Sequence, residues 1–124
     1  MNLKIDFSDP IIQKDDVLEI TTKTLDSFYT SSKELDQLNL FFILLASLHY
    51  HIDQNNNIEA AHLSFLLAYY LFVPLTPPAS CSLALHYIKK AISLHNTPTY
   101  EQWLDIIKKE INSTKNHGKG WAFN

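Results

Sequence analysis

Apolar residues recur along the chain at intervals of three and four positions, the spacing that places them on one face of an α-helix. The clearest case is SSKELDQLNLFFILLASLHYHI (31–52), whose apolar positions are Leu35, Leu38, Phe41, Phe42, Leu45, Leu48 and Ile52. Residues 38–48 are apolar on nearly all sides, so we expect this segment to be the central helix of the fold. Ser31 and Glu34 have capping-box spacing, which predicts that the helix begins there.

An earlier helix is predicted over residues 9–29. Asp9 can cap it, and Pro10 suits the first helical position because no N–H group is needed there. Its apolar side is formed by Ile11, Val17, Leu18, Leu25 and Phe28. Threonines at positions 21, 22 and 24 lower the helix propensity, so a break at that point is compatible with the pattern.

Two further helices are predicted on either side of a proline-rich connector, PLTPPAS (74–80). Asn56 and Glu59 repeat the capping-box spacing and open the first of them, which we expect Pro74 to stop. Thr76 can cap the second, with Pro77 at its first position. Its apolar side consists of Leu83, Ala84, Tyr87, Ile88, Ala91 and Leu94.

The last predicted helix opens at Thr97 and Pro98, and its apolar stripe is Trp103, Ile106, Ile107 and Ile111. The remaining residues read as a loose tail, although Trp121 and Phe123 could dock on the fold. We therefore expect an all-α protein of five or so helices in antiparallel hairpins, as a compact helical bundle or a repeat-like array. A single helical domain is predicted over residues 1–113, with a tail over residues 114–124.

Composition agrees with a helical protein of the cytosol. The 124 residues include only two glycines, which disfavours a sheet with tight turns, and one cysteine, which cannot form an internal disulfide. The apolar stretch over residues 63–73 is about half the length of a membrane-spanning helix, so we expect a buried core helix and no membrane contact. The start of the chain lacks the features of a signal peptide.

Charge is unevenly distributed along the chain. Residues 1–59 carry ten acids and four lysines, a net −6, and residues 60–124 carry three acids and six lysines, a net +3. The early acids are either solvated helix faces or a surface for a basic partner; the candidates are Asp15, Asp16, Glu19, Glu34 and Asp36. Because the chain contains no arginine and has a net charge of −3, nucleic-acid binding is disfavoured.

Residues 56–98 resemble a single tetratricopeptide repeat. The family has a small residue in the middle of its first helix, where Ala68 stands, and an alanine, large apolar and alanine pattern in its second, matched by Ala84, Ile88 and Ala91. Small side chains let neighbouring helices approach closely. Asn96 stands where the family has proline, and the connector is longer. The resemblance implies a concave helical surface that binds peptide or protein.

Candidate chemical groups are few. His49, His51 and Asp53, with His62 beyond the turn, are candidate metal ligands, but no HExxH or ExxH spacing is present. We therefore expect no metal site, and we expect these histidines to meet carbonyls and water at the helix ends. His86 as a base and Cys81 as a nucleophile lack a partner in the sequence, so we expect neither enzymatic activity nor a cofactor. Tyr69 and Tyr70 belong either to the core or, if one faces outward, to an interface.

These patterns predict a non-catalytic protein-binding module. The first interpretation is a small cytoplasmic, bacterial immunity or inhibitor protein that covers the active site of a basic toxin such as a nuclease. The second is a small secretion chaperone or adaptor that shields a helix of its partner. The third is a self-assembling structural subunit, and the oligomeric state is left open.

Overall fold

The computed structural model describes residues 9–116, and side chains for residues 9–113. This part of the chain is all-α, as expected, and contains no strand. Its helices are α1 (Lys14–Val17), α2 (Thr22–Ser31), α3 (Glu34–Asp53), α4 (Asn57–Tyr70), a π-helical turn (Leu71–Leu75), α5 (Ser80–Leu94) and α6 (Pro98–Asn116). Trp121 and Phe123 lie outside the described residues, as does most of the predicted tail.

Helix α4 is the centre of the bundle. Every residue from 63 to 71 is buried, and α4 packs between α3 and α5. Aromatic rings extend its contacts to α6, with Phe65 stacked on Tyr100 at 5.2 Å and Tyr69 edge-on to Trp103 at 5.4 Å. The expectation that residues 31–52 form the central helix is therefore wrong, because α3 packs with one face only.

Small side chains line the contact between α4 and α5. Ala68 of α4 and Ala84 and Ala91 of α5 are buried, and Ile88 packs among them. The one polar group here, Ser64, donates a hydrogen bond to the Tyr87 carbonyl at 2.7 Å, so its burial leaves no donor unsatisfied. Short side chains allow the two helix axes to approach closely, which joins α4 and α5 into a tight hairpin.

The connector between α4 and α5 differs from the prediction. Pro74 does not stop the helix at once; it lies inside the π-helical turn, which ends when the Thr76 N–H donates to the Leu71 carbonyl at 3.1 Å. Thr76 then adopts a left-handed φ of 43°, the conformation of a residue that terminates a helix. Thr76 therefore ends this run and does not cap α5, whose N-cap is Ala79, also left-handed at φ 63°.

The predicted first helix is divided into two. Thr21 and Thr24 form a reciprocal capping box that starts α2, with the Thr21 N–H on Thr24 Oγ1 at 3.1 Å and the Thr24 N–H on Thr21 Oγ1 at 3.3 Å. The threonines thus produce the break that their low propensity permits. Asp9 does not cap a helix, because α3 side chains hold the backbone of Ile12 outside any helix.

Two predicted helix caps do not form, because the side chains concerned make other hydrogen bonds. Ser31 is the last residue of α2, and its hydroxyl donates to the Ser27 carbonyl at 2.8 Å, so the predicted Ser31 capping box on α3 is wrong. Asn56 is the N-cap of α4 as expected, but its side chain hydrogen-bonds His51 and not the helix end. Thr97 does cap α6, with its Oγ1 accepting from the Tyr100 N–H at 3.2 Å.

Within residues 9–116, one helical run is long and apolar enough to cross a membrane by length and composition. It comprises α4 and the π-helical turn, Asn57–Leu75, with 19 residues and a mean hydropathy of 1.5. The prediction from residues 63–73 alone underestimated this length, because the helix continues in both directions. Within the bundle, 61% of its most apolar 18-residue segment is buried, as in the core helix of a soluble protein.

Two leucines that differ in burial test this packing. We expect Leu66→Ala to lower the free energy of unfolding by about 2–5 kcal/mol, because Leu66 is fully buried and the truncation leaves a cavity in α4. Leu35→Ala on the exposed face of α3 is the matched control and should change it by less than about 0.5 kcal/mol. Urea denaturation followed by circular dichroism measures both. Equal losses would contradict the placement of α4 at the centre.

Candidate protein-binding surface

The outer face of α3 exposes a line of apolar side chains. Leu35 is 70% exposed, Leu38 47%, Phe42 60% and Tyr50 46%. Ala46 completes the line between the last two and is also exposed. We call these five residues the α3 stripe. Their spacing of three or four positions places them on one side of the helix over four turns. The exposed His49, three positions after Ala46, lies on the same side, so this surface is mainly apolar with one polar ring.

The opposite face of α3 is the one that the fold uses. Its buried residues are Leu40, Leu44, Ser47, Leu48 and His51. At about 100° per residue, the centres of the buried and exposed sets lie nearly diametrically opposed around the helix. Helix α3 therefore has two apolar faces, and within residues 9–113 only one of them is covered.

Internal contacts fix the orientation of the two aromatic rings in the stripe. Phe42 meets the half-buried Phe41 edge-on, with ring centroids 5.2 Å apart. Tyr50 stands edge-on against His51 at 5.1 Å, and His51 is itself held by two hydrogen bonds. Rings that are already oriented lose little conformational entropy on binding, which is the property of an interface anchor.

Acidic residues flank the stripe. Helix α3 carries Glu34, Asp36 and Asp53 and no lysine, and all three carboxylates are exposed. Glu34 and Asp36 lie beside Leu35 at one end, and Asp53 lies at the other end. Lys33 immediately precedes the helix. The surface thus has an apolar centre with a mainly negative border.

The five acids expected to form one face fall into two groups. Glu34 and Asp36 are in the first turn of α3, whereas Asp15, Asp16 and Glu19 lie in and just after α1. The segment that carries α1 is bonded to Ser47, eleven residues beyond Asp36 and therefore about 16 Å further along α3. All five are exposed except Asp16, which is half-buried.

Tyr69 and Tyr70 are part of the core, the first of their two expected placements, so neither is an outward-facing anchor of a binding surface. The Tyr69 hydroxyl donates to the Asp26 carboxylate of α2, at 2.8 and 2.9 Å from its two oxygens. The Tyr70 hydroxyl donates to the Gln37 carbonyl of α3 at 2.6 Å. Both phenols join α4 to its neighbours, and burial raises the pKa of each.

The histidines and Cys81 do not converge on a reactive centre. His51 and His62 hydrogen-bond backbone carbonyls, while His49 and Asp53 are exposed. No three His, Cys, Asp or Glu side chains lie close enough to hold a metal ion among the residues that the structure describes.

Neither candidate in α5 has the environment of a reactive group. The exposed His86 ring stands edge-on to Tyr87 at 4.9 Å. Burial raises the pKa of the half-buried Cys81 thiol, which keeps it protonated and reduces its nucleophilicity.

Sequence reasoning missed the outward face of α3, although a signal was present. The run of residues 38–48 is apolar around the whole helix, which is compatible with full burial and equally with two separate contact faces. Polar Glu34, Asp36 and Asp53 lie at the ends of the same helix, at its exposed surface. Acids at both ends of an apolar helix favour the two-faced interpretation.

No protein-family model, curated protein or solved structure matches this chain. The resemblance of residues 56–98 to a tetratricopeptide repeat remains a prediction. The residues that suggested it are all buried in α4 and α5; they are Ala68, Ala84, Ile88 and Ala91.

The phenol of Tyr69 should titrate late. Burial, followed by the hydrogen bond and charge of Asp26, raises the pKa of Tyr69 to about 12. The unfolded chain loses this proton near pH 10, so the stability of the fold should decrease as the pH rises from 10 to 12. The difference between the ultraviolet titrations of the wild-type protein and Tyr69→Phe isolates the Tyr69 phenol from the other tyrosines. This difference should show ionisation near pH 12, and Asp26→Asn should shift it to lower pH. A difference step near pH 10 would contradict the Tyr69–Asp26 contact.

Proposed function

We propose that this chain is a non-catalytic protein-binding module that inserts the α3 stripe into an apolar groove bordered by basic residues on another protein. The observation that carries this proposal is the line of exposed apolar side chains on the face of α3 opposite the core. Helices that bind in grooves use anchors at this three- and four-residue spacing.

The apolar content of the stripe supports a partner of some kind. A single exposed leucine is ordinary on a protein surface, but a contiguous row with two aromatic rings is characteristic of an interaction site. Phe42 and Tyr50 are large and stiff, and their orientation is set by Phe41 and His51. These are the properties of residues that contribute most of the binding energy in interfaces.

The charges support a basic protein over a second copy of this chain. In an antiparallel pair of α3 helices centred on the stripe, Glu34 and Asp36 would face Asp53 of the other copy. Like charges at both ends oppose that pairing, with only Lys33 to offset them. Lysines or arginines around the groove of a different protein would complement all three carboxylates.

A toxin that holds nucleic acid has the required chemistry, because its active-site cleft must be basic. An immunity protein that covers such a cleft gains a faster association rate from its own acidic residues. This is the first candidate function, and Glu34 and Asp36 are its charged contacts. Asp15, Asp16 and Glu19 are assigned to a separate surface in this proposal.

A small secretion chaperone or adaptor is the second candidate. The length of the stripe favours it, since four helical turns of apolar surface suit the shielding of a partner helix as well as the filling of a groove. The two candidates differ in the partner: a folded basic protein in the first case, and an apolar helix that needs cover in the second.

The partner can be identified by photocrosslinking in cells of the source organism. A benzophenone amino acid placed at Phe42 should crosslink to one protein, which mass spectrometry identifies. The same group placed at the exposed Thr99 of α6 is the control for non-specific capture. Crosslinks from position 42 to a second copy of this chain, with a dimer in light scattering, would replace the proposal with self-assembly.

Truncation of the stripe should weaken binding to the identified partner. We expect Phe42→Ala to raise the Kd by about ten- to a hundredfold, corresponding to roughly 1.4–2.7 kcal/mol, as for a central aromatic anchor. The stability of the fold should change little, because Phe42 is mostly exposed. Calorimetric titration measures the affinity, and His86→Ala is the control on another exposed surface. An unchanged Kd for Phe42→Ala would contradict the proposal.

Charge reversal should distinguish the two acidic groups. Glu34→Lys with Asp36→Lys should reduce the association rate by roughly tenfold at low salt, with a smaller effect at high salt, because long-range attraction is screened. Asp15→Lys with Glu19→Lys introduces the same change of charge near α1 and should have a smaller effect. Stopped-flow association kinetics compares the two variants. The reverse order would move the binding surface from α3 to α1.

A further inference from the structure

Polar side chains of α3 and α4 hold the backbone of the segment that precedes α2. The Ile12 N–H donates to Ser47 Oγ at 2.9 Å, and the Ile12 carbonyl accepts from His51 Nε2 at 2.7 Å. At the other end, the Ile20 carbonyl accepts from His62 Nε2 at 2.6 Å. Residues 9–20, which we call the strap, are thus fastened to the bundle at both ends.

The strap covers part of the core, and its own apolar side chains are buried there. Val17 and Ile20 are fully buried. Beneath it, Ser47 and His51 are also buried, although both are polar. Their hydrogen-bonding groups are therefore satisfied by the strap backbone and, for His51, by Asn56 as well.

The strap ends where α2 begins, and the cap of α2 forms without any residue of the strap. Thr21 and Thr24 cap α2 by bonding each other, so the start of α2 needs no group from residues 9–20. Helix α2 is held to the bundle by its own contacts, including the Tyr69–Asp26 hydrogen bond and that from Gln37 to the Tyr29 carbonyl at 2.8 Å. The strap can therefore leave without unwinding α2.

We propose that residues 9–20 form a detachable strap, which is released from its contacts with α3 and α4 when His62 takes up a proton. The bond from His62 Nε2 to the Ile20 carbonyl can form with a neutral or a charged ring, because Nε2 can carry a proton in both. A second proton therefore leaves this bond in place but adds a positive charge to a half-buried ring beside the fully buried Ile20. Moving the strap aside lets water reach the charged ring.

Burial lowers the pKa of His62 below its usual value, and the hydrogen bond to Ile20 only partly opposes this effect. The strapped form therefore binds fewer protons than the released form. Its stability is fully present above pH 6.5 and decreases as the pH falls from 6.5 towards the lowered pKa. Acid thus favours release.

Other titratable groups are present at this end of the bundle, on each element packed around His62. They are Glu19 on the strap, Lys23 on α2, Asp53 on α3, Glu59 on α4, His95 after α5 and Tyr100 on α6. None of them is a cause of the lowered pKa, which is due to burial. His51, also under the strap, is the second histidine that a test must separate.

Amide hydrogen exchange of the full-length protein tests the strap directly. The N–H groups of Ile12, Val17 and Ile20 are hydrogen-bonded in the strapped form and serve as probes. After correction for intrinsic exchange, we expect their opening to increase by up to about tenfold per pH unit below pH 6.5. Amides in the middle of α4 and α5 should stay protected over the same range.

Two variants identify which histidine takes up the proton that opens the strap. His62→Gln keeps an N–H donor near the Ile20 carbonyl but cannot be protonated, so strap opening should no longer depend on pH. His51→Gln is the matched control at the other end and should leave the pH dependence in place.

Each of several results would overturn the proposal. These are strap opening that is constant with pH in the wild-type protein, loss of strap and α4 protection together, and an acid response that persists in His62→Gln. The first two are read from the wild-type protein, so they remain informative even if a variant folds poorly. The experiment involves no binding partner, and its outcome is independent of the α3 stripe.

Discussion

The need to cover α4 on every side determines the rest of this structure. Residues 63–71 are all buried, so no face of this stretch is available to water. Helix α5 covers one side through alanine contacts, α3 covers another, and aromatic rings of α6 cover a third. The only polar side chain in the stretch apart from the tyrosines, Ser64, is satisfied by a carbonyl of α5. The positions of α3, α5 and α6 are therefore determined by the faces of α4 that each of them covers.

This constraint explains why α3 is left with an unused apolar face. One face of α3 is sufficient to cover its side of α4 and to hold the strap, through Leu44, Ser47 and His51. The opposite face has the residue types of a core but no partner within the described chain. The proposed association with another protein would cover this surface, which is costly to leave in water and whose aromatic rings are already oriented. The inner face of the same helix fastens the strap, and the proposal assigns the outer face to a partner.

Local signals in the sequence were sufficient for much of the fold. The all-α class, the hairpin over residues 56–98 and the start of α6 at Pro98 follow from periodicity, prolines and the Thr97 cap, all of which act over a few residues. The choice of central helix could not be made this way, because α3 and α4 are both apolar on most sides. Whether α3 or α4 is the enclosed helix depends on which other helices pack around it, and this is decided by contacts between residues distant in sequence.

The errors at the candidate site have the same origin. Tyr69 and Tyr70 can lie in the core because Asp26 and the Gln37 carbonyl, distant in sequence, accept hydrogen bonds from their hydroxyl groups. Ile12 likewise hydrogen-bonds Ser47 and His51, which lie 35 and 39 positions further along the chain, and no local pattern indicates these contacts. Acidic residues were recognised by type, but their separation into two groups depends on where the strap meets α3.

Hydroxyl-radical footprinting of the complex with the crosslinked partner tests the central claim, that the outer face of α3 is the binding surface. Oxidation of Phe42 and Tyr50 should be strong in the free protein and suppressed in the complex, while the exposed His86 reacts equally in both. Unchanged oxidation of Phe42 and Tyr50 in a complex that is otherwise intact would contradict it.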